Sequence, residues 1–144
     1  MVTREPPAFA PASPPSPLIC VHDAARPFAS AELFERVIGA VRDGADGAVP
    51  GLPVSDTIKV VEEADGRTRV LSTPDRTTLS AVQTPQAFRA DALRAAHAHG
   101  AEGTDDASLV EAAGGVVVVV EGEIGNRKIT TVDDLEWARG QVAS

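Results

Sequence analysis

Five consecutive valines, Val116–Val120, constrain the fold of this chain more than any other feature. β-Branched side chains lose rotamer freedom in a helix and pack well on a pleated surface, so the run reads as a strand. Because no polar residue alternates with the valines, the strand is expected to be buried on both faces, as in a parallel sheet with helices on either side. It is far shorter than the ~20 apolar residues that span a bilayer. With 144 residues, 43% of them hydrophobic, the chain can build one core but not two ordinary domains.

The rest of the pattern agrees with strands alternating with helices. Leu18–His22 is a short apolar run ending in polar residues. Ser30 can cap a helix whose Leu33, Val37 and Val41 fall on one face, and Gly44 is placed to end it. Ala48–Leu52 reads as a second strand. Thr57–Val61 and Thr68–Leu71 flank Ala64-Asp65-Gly66 and predict a hairpin turning on Asp-Gly, with alternation uneven enough to suit a ribbon paired with a partner. Val82–Gln86 is extended ahead of Pro85, Arg89–His99 is helical and closed by Gly100, and Thr104 can cap a short helix over Asp105–Ala112. Gly114-Gly115 precede the valine strand. A final helix opens on the capping-box spacing Thr131-Val132-Asp133-Asp134 and carries an apolar stripe of Leu135, Ala138 and Val142. The order implies an α/β layer sandwich with a mostly parallel sheet and the hairpin as an insertion.

Residues 1–17 hold six of the eleven prolines and no apolar stretch able to act as a signal-peptide core, so they read as a disordered or polyproline-like leader. A net charge of −8 argues against nucleic-acid or anionic-membrane surfaces, which demand concentrated Lys and Arg, and favours small-molecule partners. The single Cys20 cannot form an internal disulfide, and its apolar neighbours predict burial in a reducing compartment. Together these features describe a soluble, cytoplasmic protein.

Four polar clusters could carry chemistry. His22-Asp23-Ala24-Ala25-Arg26-Pro27 follows a strand directly, the position that borders the ligand crevice of open α/β sheets. Asp23 there could hold a hard divalent cation against substrate phosphates, or equally could pair with Arg26 to fix the loop. Ser55–Lys59 and Asp75-Arg76 flank the hairpin. An arginine fork suits phosphate, although either cluster alone reads first as a solvated turn. Asn126–Thr130 puts two cations between the valine strand and a helix start, a place for phosphate or simply surface charge.

Taken together, the strings Val21–Pro27, Ser55–Lys59, Ala81–Phe88, Thr104–Ser108 and Lys128–Thr130 occur in this order and at these separations in the 2-C-methyl-D-erythritol 4-phosphate cytidylyltransferase family, which Leu18 to about Val142 resembles. The resemblance implies a Rossmann-like three-layer sandwich of nucleotide-diphospho-sugar transferase type. It also implies transfer of cytidylyl from CTP to methylerythritol phosphate in the non-mevalonate isoprenoid pathway. Carried over by motif, Asp23 would hold Mg²⁺ and the cytidine diphosphate portion, and Arg26 beside it would also bind substrate. Thr57, Arg76 and Thr84 would contact methylerythritol phosphate, and Lys128 would orient it for attack, leaving Lys128 and Arg76 as the catalytic pair. Residues 56–79 would be an arm crossing to a second subunit of a homodimer, and residues 18–144 a partial cytidylyltransferase domain.

The family begins with a strand and a Gly-rich loop, carrying an Arg and a Lys, that wraps the triphosphate. In this sequence the first glycine is Gly39 and only Arg4 provides a cation ahead of the His-Asp motif. The expectation is therefore a chain impaired in turnover. The alternatives are a non-catalytic remnant that keeps the sugar-phosphate pocket and the dimer arm, and a ribitol-5-phosphate cytidylyltransferase, which shares the His-Asp-Ala-x-Arg-Pro string. The Thr-Asp-Asp-Ala-Ser and Lys-Ile-Thr strings read more like the methylerythritol enzymes.

Overall fold

A computed structural model describes residues 17–98, 100 and 102–144. The proline-rich leader, except Pro17, lies outside the described residues, as does His99 at the end of the expected second helix. The strands are β1 (Leu18–Val21), β2 (Gly47–Pro53), β3 (Val60–Ala64), β4 (Arg67–Ser72), β5 (Ser80–Val82), β6 (Gln86–Arg89) and β7 (Val117–Glu121). The helices are α1 (Ala31–Arg42), α2 (Ala90–His97), α3 (Asp106–Ala112) and α4 (Val132–Val142).

Strand β2 is the axis of the main sheet. On one edge it pairs in parallel with β7, from Gly47 opposite Val117 to Gly51 opposite Glu121. On the other edge it pairs antiparallel with β6 through Gly47 and Ala48, then with β5 through Gly51–Pro53. β1 closes the order as the antiparallel neighbour of β6. Thus β1, β2 and β7 run in one direction, as the strand–helix alternation suggests, but the β5–β6 segment runs against them between β1 and β2. Only one of the direct pairings is parallel. The sequence of Ala81–Arg89 carries no sign of this reversal, because the buried β6 has the composition a parallel strand would have and the exposed β5 is only three residues long.

Helix α1 covers one face of the sheet. The Ser30 hydroxyl accepts from the Leu33 amide at 3.1 Å as the N-cap, and Leu33, Val37 and Val41 are buried along the inward stripe. Val37 and Val41 pack on Ala48 and Ala87, with Leu18, Val118 and Val120 at the margin. Helices α2 and α3 cover the other face, where Leu93, Ala96, Ala107, Leu109 and Val110 enclose Phe88 and Val49, with Ile19 and Val117 alongside. The valine strand divides its side chains by the period of two, Val118 and Val120 toward α1 and Val117 toward α2 and α3. The result is the expected three-layer α/β sandwich.

Four local expectations are corrected. The valine run is not fully buried, because β7 has a strand neighbour on one edge only among the described residues, and Val116 and Val119 are exposed. Cys20 is exposed rather than buried, since β1 has the same edge position, although partial burial still pushes its thiol pKa up. The cap of α3 is Asp105 rather than Thr104; its carboxylate accepts from the Ser108 amide at 2.8 Å. Helix α4 does open on the Thr131/Asp134 capping box, but of its expected stripe only Ala138 is buried, while Leu135 and Val142 face solvent. It docks instead through Trp137, edge-on to Phe28 at 5.5 Å.

The hairpin forms as expected, β3 and β4 turning on Asp65 and Gly66, both at positive φ as a type I′ turn requires. It is a separate two-stranded ribbon with every residue from Val60 to Ser72 exposed except Ala64. Such a ribbon is marginal alone.

Close packing at the start of β2 depends on Gly47, where an added Cβ would lie 2.7 Å and 2.9 Å from ring carbons of Phe88. Phe88 is fully buried and cannot yield. Gly47→Ala is expected to destabilise the fold by roughly 1–3 kcal/mol through overpacking, read as a lowered midpoint in urea unfolding. An unchanged midpoint would show that the ring has room to move.

Candidate functional site

Because β1, β2 and β7 share a direction, the segments leaving β1 (residues 22–30) and β7 (residues 122–131) emerge on one rim of the sheet, and Gln83–Pro85, entering β6, meets them there. This rim brings together Asp23, Arg26, Thr84 and Lys128. The Lys128 ammonium lies 3.0 Å from Asp23 Oδ2. Thr84 Oγ1 accepts from the Asp23 amide at 2.9 Å and lies 3.0 Å from His22 Nδ1, while His22 Nε2 lies 2.9 Å from the Arg26 carbonyl. A neutral His22 with its proton on Nε2 satisfies the whole chain, donating to the Arg26 carbonyl and accepting from the Thr84 hydroxyl.

The simple Asp23–Arg26 ion pair is not the dominant contact. Arg26 Nε stands 4.0 Å from Asp23, whereas its Nη1 reaches across to the Asn126 carbonyl at 2.7 Å. Burial lowers the Arg26 pKa, and the Asp23 charge offsets this only in part. Asp23 turns instead to Lys128, and both side chains stay partly open to solvent. An ion pair at this exposure adds at most about 1 kcal/mol to stability, so its arrangement matters more for binding than for folding.

Thr57 and Arg76 do not join this cluster within the chain. Thr57 is exposed beside the hairpin. Arg76 begins a one-turn 3-10 helix (Arg76–Thr78) capped by Asp75, whose carboxyl is held below its usual range first by the Thr77 hydroxyl and then by the Thr77 amide. Its guanidinium donates to the Ser55 carbonyl at 2.6 Å and borders an open cleft of about 480 Å³ with Leu52, Leu79 and Val119.

The segment around Lys128 is held from both sides. The Ile129 amide donates to the Ala25 carbonyl at 2.8 Å, tying it to the Asp23 loop. Asp134, in the first turn of α4, accepts from the amides of Thr130 and Thr131 at 3.0 Å each, and its other oxygen meets Arg127 at 2.9 Å. Arg127 in turn stacks over Trp137, 4.6 Å from the ring centroid. Upstream, the Glu123 carboxylate accepts from the Ser30 amide and hydroxyl and from Arg36, joining the exit of β7 to the start of α1.

The sequence gives no role to Gln83, Glu123 or Trp137. Gln83 lies inside a string that carries the family resemblance, but nothing in the pattern tells a buried amide bracing a turn from an exposed one. His22, in the first of those strings, is likewise legible only once Thr84 is beside it.

A three-layer α/β sandwich, with an acid–base cluster at the carboxyl rim of its co-directional strands and a projecting ribbon, is a fold of the nucleotide-diphospho-sugar transferase type. A family model described as 2-C-methyl-D-erythritol 4-phosphate cytidylyltransferase matches residues 10–143, and the chain belongs to that family. It is 50% identical over 132 residues to the Rubrobacter xylanophilus protein of that name, covering 88% of this chain and 55% of the relative. It is 55% identical over 122 residues to a bifunctional enzyme IspD/IspF of Oleidesulfovibrio alaskensis, covering 81% of this chain and 30% of the relative. The crystal structure of the Thermus thermophilus 2-C-methyl-D-erythritol 4-phosphate cytidylyltransferase superposes with a TM-score of 0.76 at 42% identity, over 89% of this chain and 63% of that one. The chain thus spans about half the length of the single-function curated relative and less than a third of the bifunctional one.

The Asp134 carboxyl is held far below its usual range, chiefly by the Thr130 amide and then by Thr131. Its folded pKa being depressed, the stability it contributes is present above the unfolded value near 3.9 and is lost as pH falls toward the folded value. Asp134→Asn is expected to lower the thermal midpoint at pH 7, with the gap to wild type narrowing steadily as the pH falls below about 4. A gap independent of pH would contradict the bonding assigned to the carboxylate.

Proposed function

We propose that this chain carries the acceptor-phosphate part of a cytidylyl-transfer site, taking CTP and 2-C-methyl-D-erythritol 4-phosphate as substrates. The observation that carries the reading is the meeting of the Lys128 ammonium, the Asp23 carboxylate and the Thr84 hydroxyl on one rim. In the reaction a phosphate oxygen of the acceptor attacks the α-phosphorus of CTP, a new phosphorus–oxygen bond forms, and the bond to the departing pyrophosphate breaks. No proton needs to move at the attacking atom, so the work is charge neutralisation and alignment. Lys128 offsets the negative charge of the attacking phosphate and holds it in line, Thr84 turns its hydroxyl proton from His22 to the phosphate, and Arg26 keeps the Asp23 loop against the Asn126 turn.

A divalent cation fits this rim only in company with substrate. Among the described residues no three His, Cys, Asp or Glu side chains gather to hold one. Asp23 alone would supply a carboxylate oxygen to Mg²⁺, with phosphate oxygens and water completing the shell, which matches the preference of that ion. When bound, the cation would neutralise triphosphate charge.

Thr57 and Arg76 act, in this reading, at the site of a second subunit, carried by residues 56–79 as the arm of a homodimer. The ribbon exposes Val60, Val61, Val70 and Leu71, which a partner would cover. No helix among the described residues is long and apolar enough to cross a membrane, and we place the protein in the cytoplasm with no nucleic-acid or membrane partner.

Two measurements test the reading. Calorimetry should show methylerythritol phosphate binding to the chain, weakened about tenfold or more in Lys128→Ala, while stability stays within about ±0.5 kcal/mol of wild type. Equal affinity in the variant would remove Lys128 from the site. For the arm, Arg76→Ala should also weaken binding. An equimolar remix of the Arg76→Ala and Lys128→Ala chains should recover roughly a quarter of wild-type sites, since half the dimers are mixed and each holds one intact site. No recovery would mean that Arg76 serves its own subunit.

A further inference from the structure

We infer that Gln83 is a positioning residue for Lys128, holding the segment that carries it at a set distance from Thr84 and Asp23; the inference rests on the site proposed above. Strands β5 and β6 occupy the same edge of β2, and Gln83 lies in the gap between them, its amide donating to the Pro50 carbonyl at 2.8 Å. Its buried side chain crosses to the exit of β7. There Nε2 donates to the Glu123 carbonyl at 2.9 Å and Oε1 accepts from the Glu123 amide at 3.1 Å. This is the reciprocal exchange of two paired strand residues, with a side-chain amide standing in for a peptide group.

The same Oε1 accepts from Asn126 Nδ2 at 3.2 Å, and that nitrogen also donates to the Thr84 carbonyl at 2.8 Å. One amide therefore ties the turn Gly122–Asn126 to the residue whose hydroxyl contacts Asp23. Lys128 follows two residues later. The fit is close: a Cβ on Gly122 would lie 2.8 Å from Gln83 Oε1 and 3.0 Å from the Gly51 carbonyl. The position requires a donor and an acceptor together. A glutamate would set a carboxylate oxygen against the Glu123 carbonyl, and a methionine would leave the Glu123 amide without its acceptor and the fully buried Asn126 with only the Thr84 carbonyl.

The test uses the chemistry of this sequence, in which Lys59 and Lys128 are the only lysines. Labelling with ¹³C-lysine gives two side-chain ε-methylene signals, and Lys59, bonded to Thr73 on the hairpin side, serves as the internal reference. In Gln83→Glu and Gln83→Met the Lys128 signal should shift while that of Lys59 stays, and the affinity for methylerythritol phosphate should fall about tenfold or more. If neither variant folds, Gln83→Asn, one methylene shorter, is read in the same way. A merely structural role for Gln83 lowers the thermal midpoint and leaves the Lys128 signal where it was, and that result in the folded variants would overturn the inference. The ligand-free shift is independent of the proposed substrate. If methylerythritol phosphate fails to move the Lys128 signal of the wild type, the site reading falls while the positional effect of Gln83 is still measured.

Discussion

The arrangement of this protein depends on the pairing of β2 along both edges. Its parallel partner β7 covers one edge from Gly47 to Gly51, and its antiparallel partners β6 and β5 cover the other at Gly47–Ala48 and Gly51–Pro53, with the Pro50 carbonyl in the gap receiving the Gln83 amide. That pairing sets the direction of β7 and, through β6, the direction of β1. Once those directions are set, the segments leaving β1 and β7 must emerge on the same rim. The meeting of Asp23, Thr84 and Lys128 is a consequence of strand direction before it is a consequence of any side chain.

What holds the rim together is mostly neutral hydrogen bonding. Gln83 and Asn126 are buried amides, and they bridge three separate segments without placing net charge in the interior. The charged contacts lie further out: Lys128 with Asp23, Arg127 with Asp134, and Glu123 with Arg36 and Ser30. This division has a physical logic. Burying an amide costs little where its bonds are made, as for all but the Asn126 Oδ1 here, whereas a buried ion pair repays its desolvation only with near-ideal geometry. Charges kept half-open remain available to a phosphate ligand, while the amides beneath them keep the geometry.

Much of this was legible in the sequence because the relevant signals are local. The Ser30 cap, the Leu33–Val37–Val41 stripe, the Asp65-Gly66 turn and the Thr131/Asp134 box depend only on neighbours along the chain, and each forms as the spacing predicts. The grouping of Asp23, Thr84 and Lys128 came through the family resemblance, since no single-chain pattern relates residues 44 or more positions apart. What was not legible depends on pairing. The reversed β5–β6 segment, the exposed Val119 and Cys20, and the uncovered stripe of α4 follow from which edges and faces have neighbours. The role of Gln83 was hidden for the same reason: its partners lie on the turn after β7.

The position of the acceptor phosphate tests the proposed site most directly. A crystal structure of the chain grown with methylerythritol phosphate should show that phosphate within hydrogen-bond distance of Lys128 Nζ and Thr84 Oγ1, beside the Asp23 carboxylate. A phosphate seated elsewhere, with Lys128 still paired only to Asp23 and the rim unfilled, would contradict it.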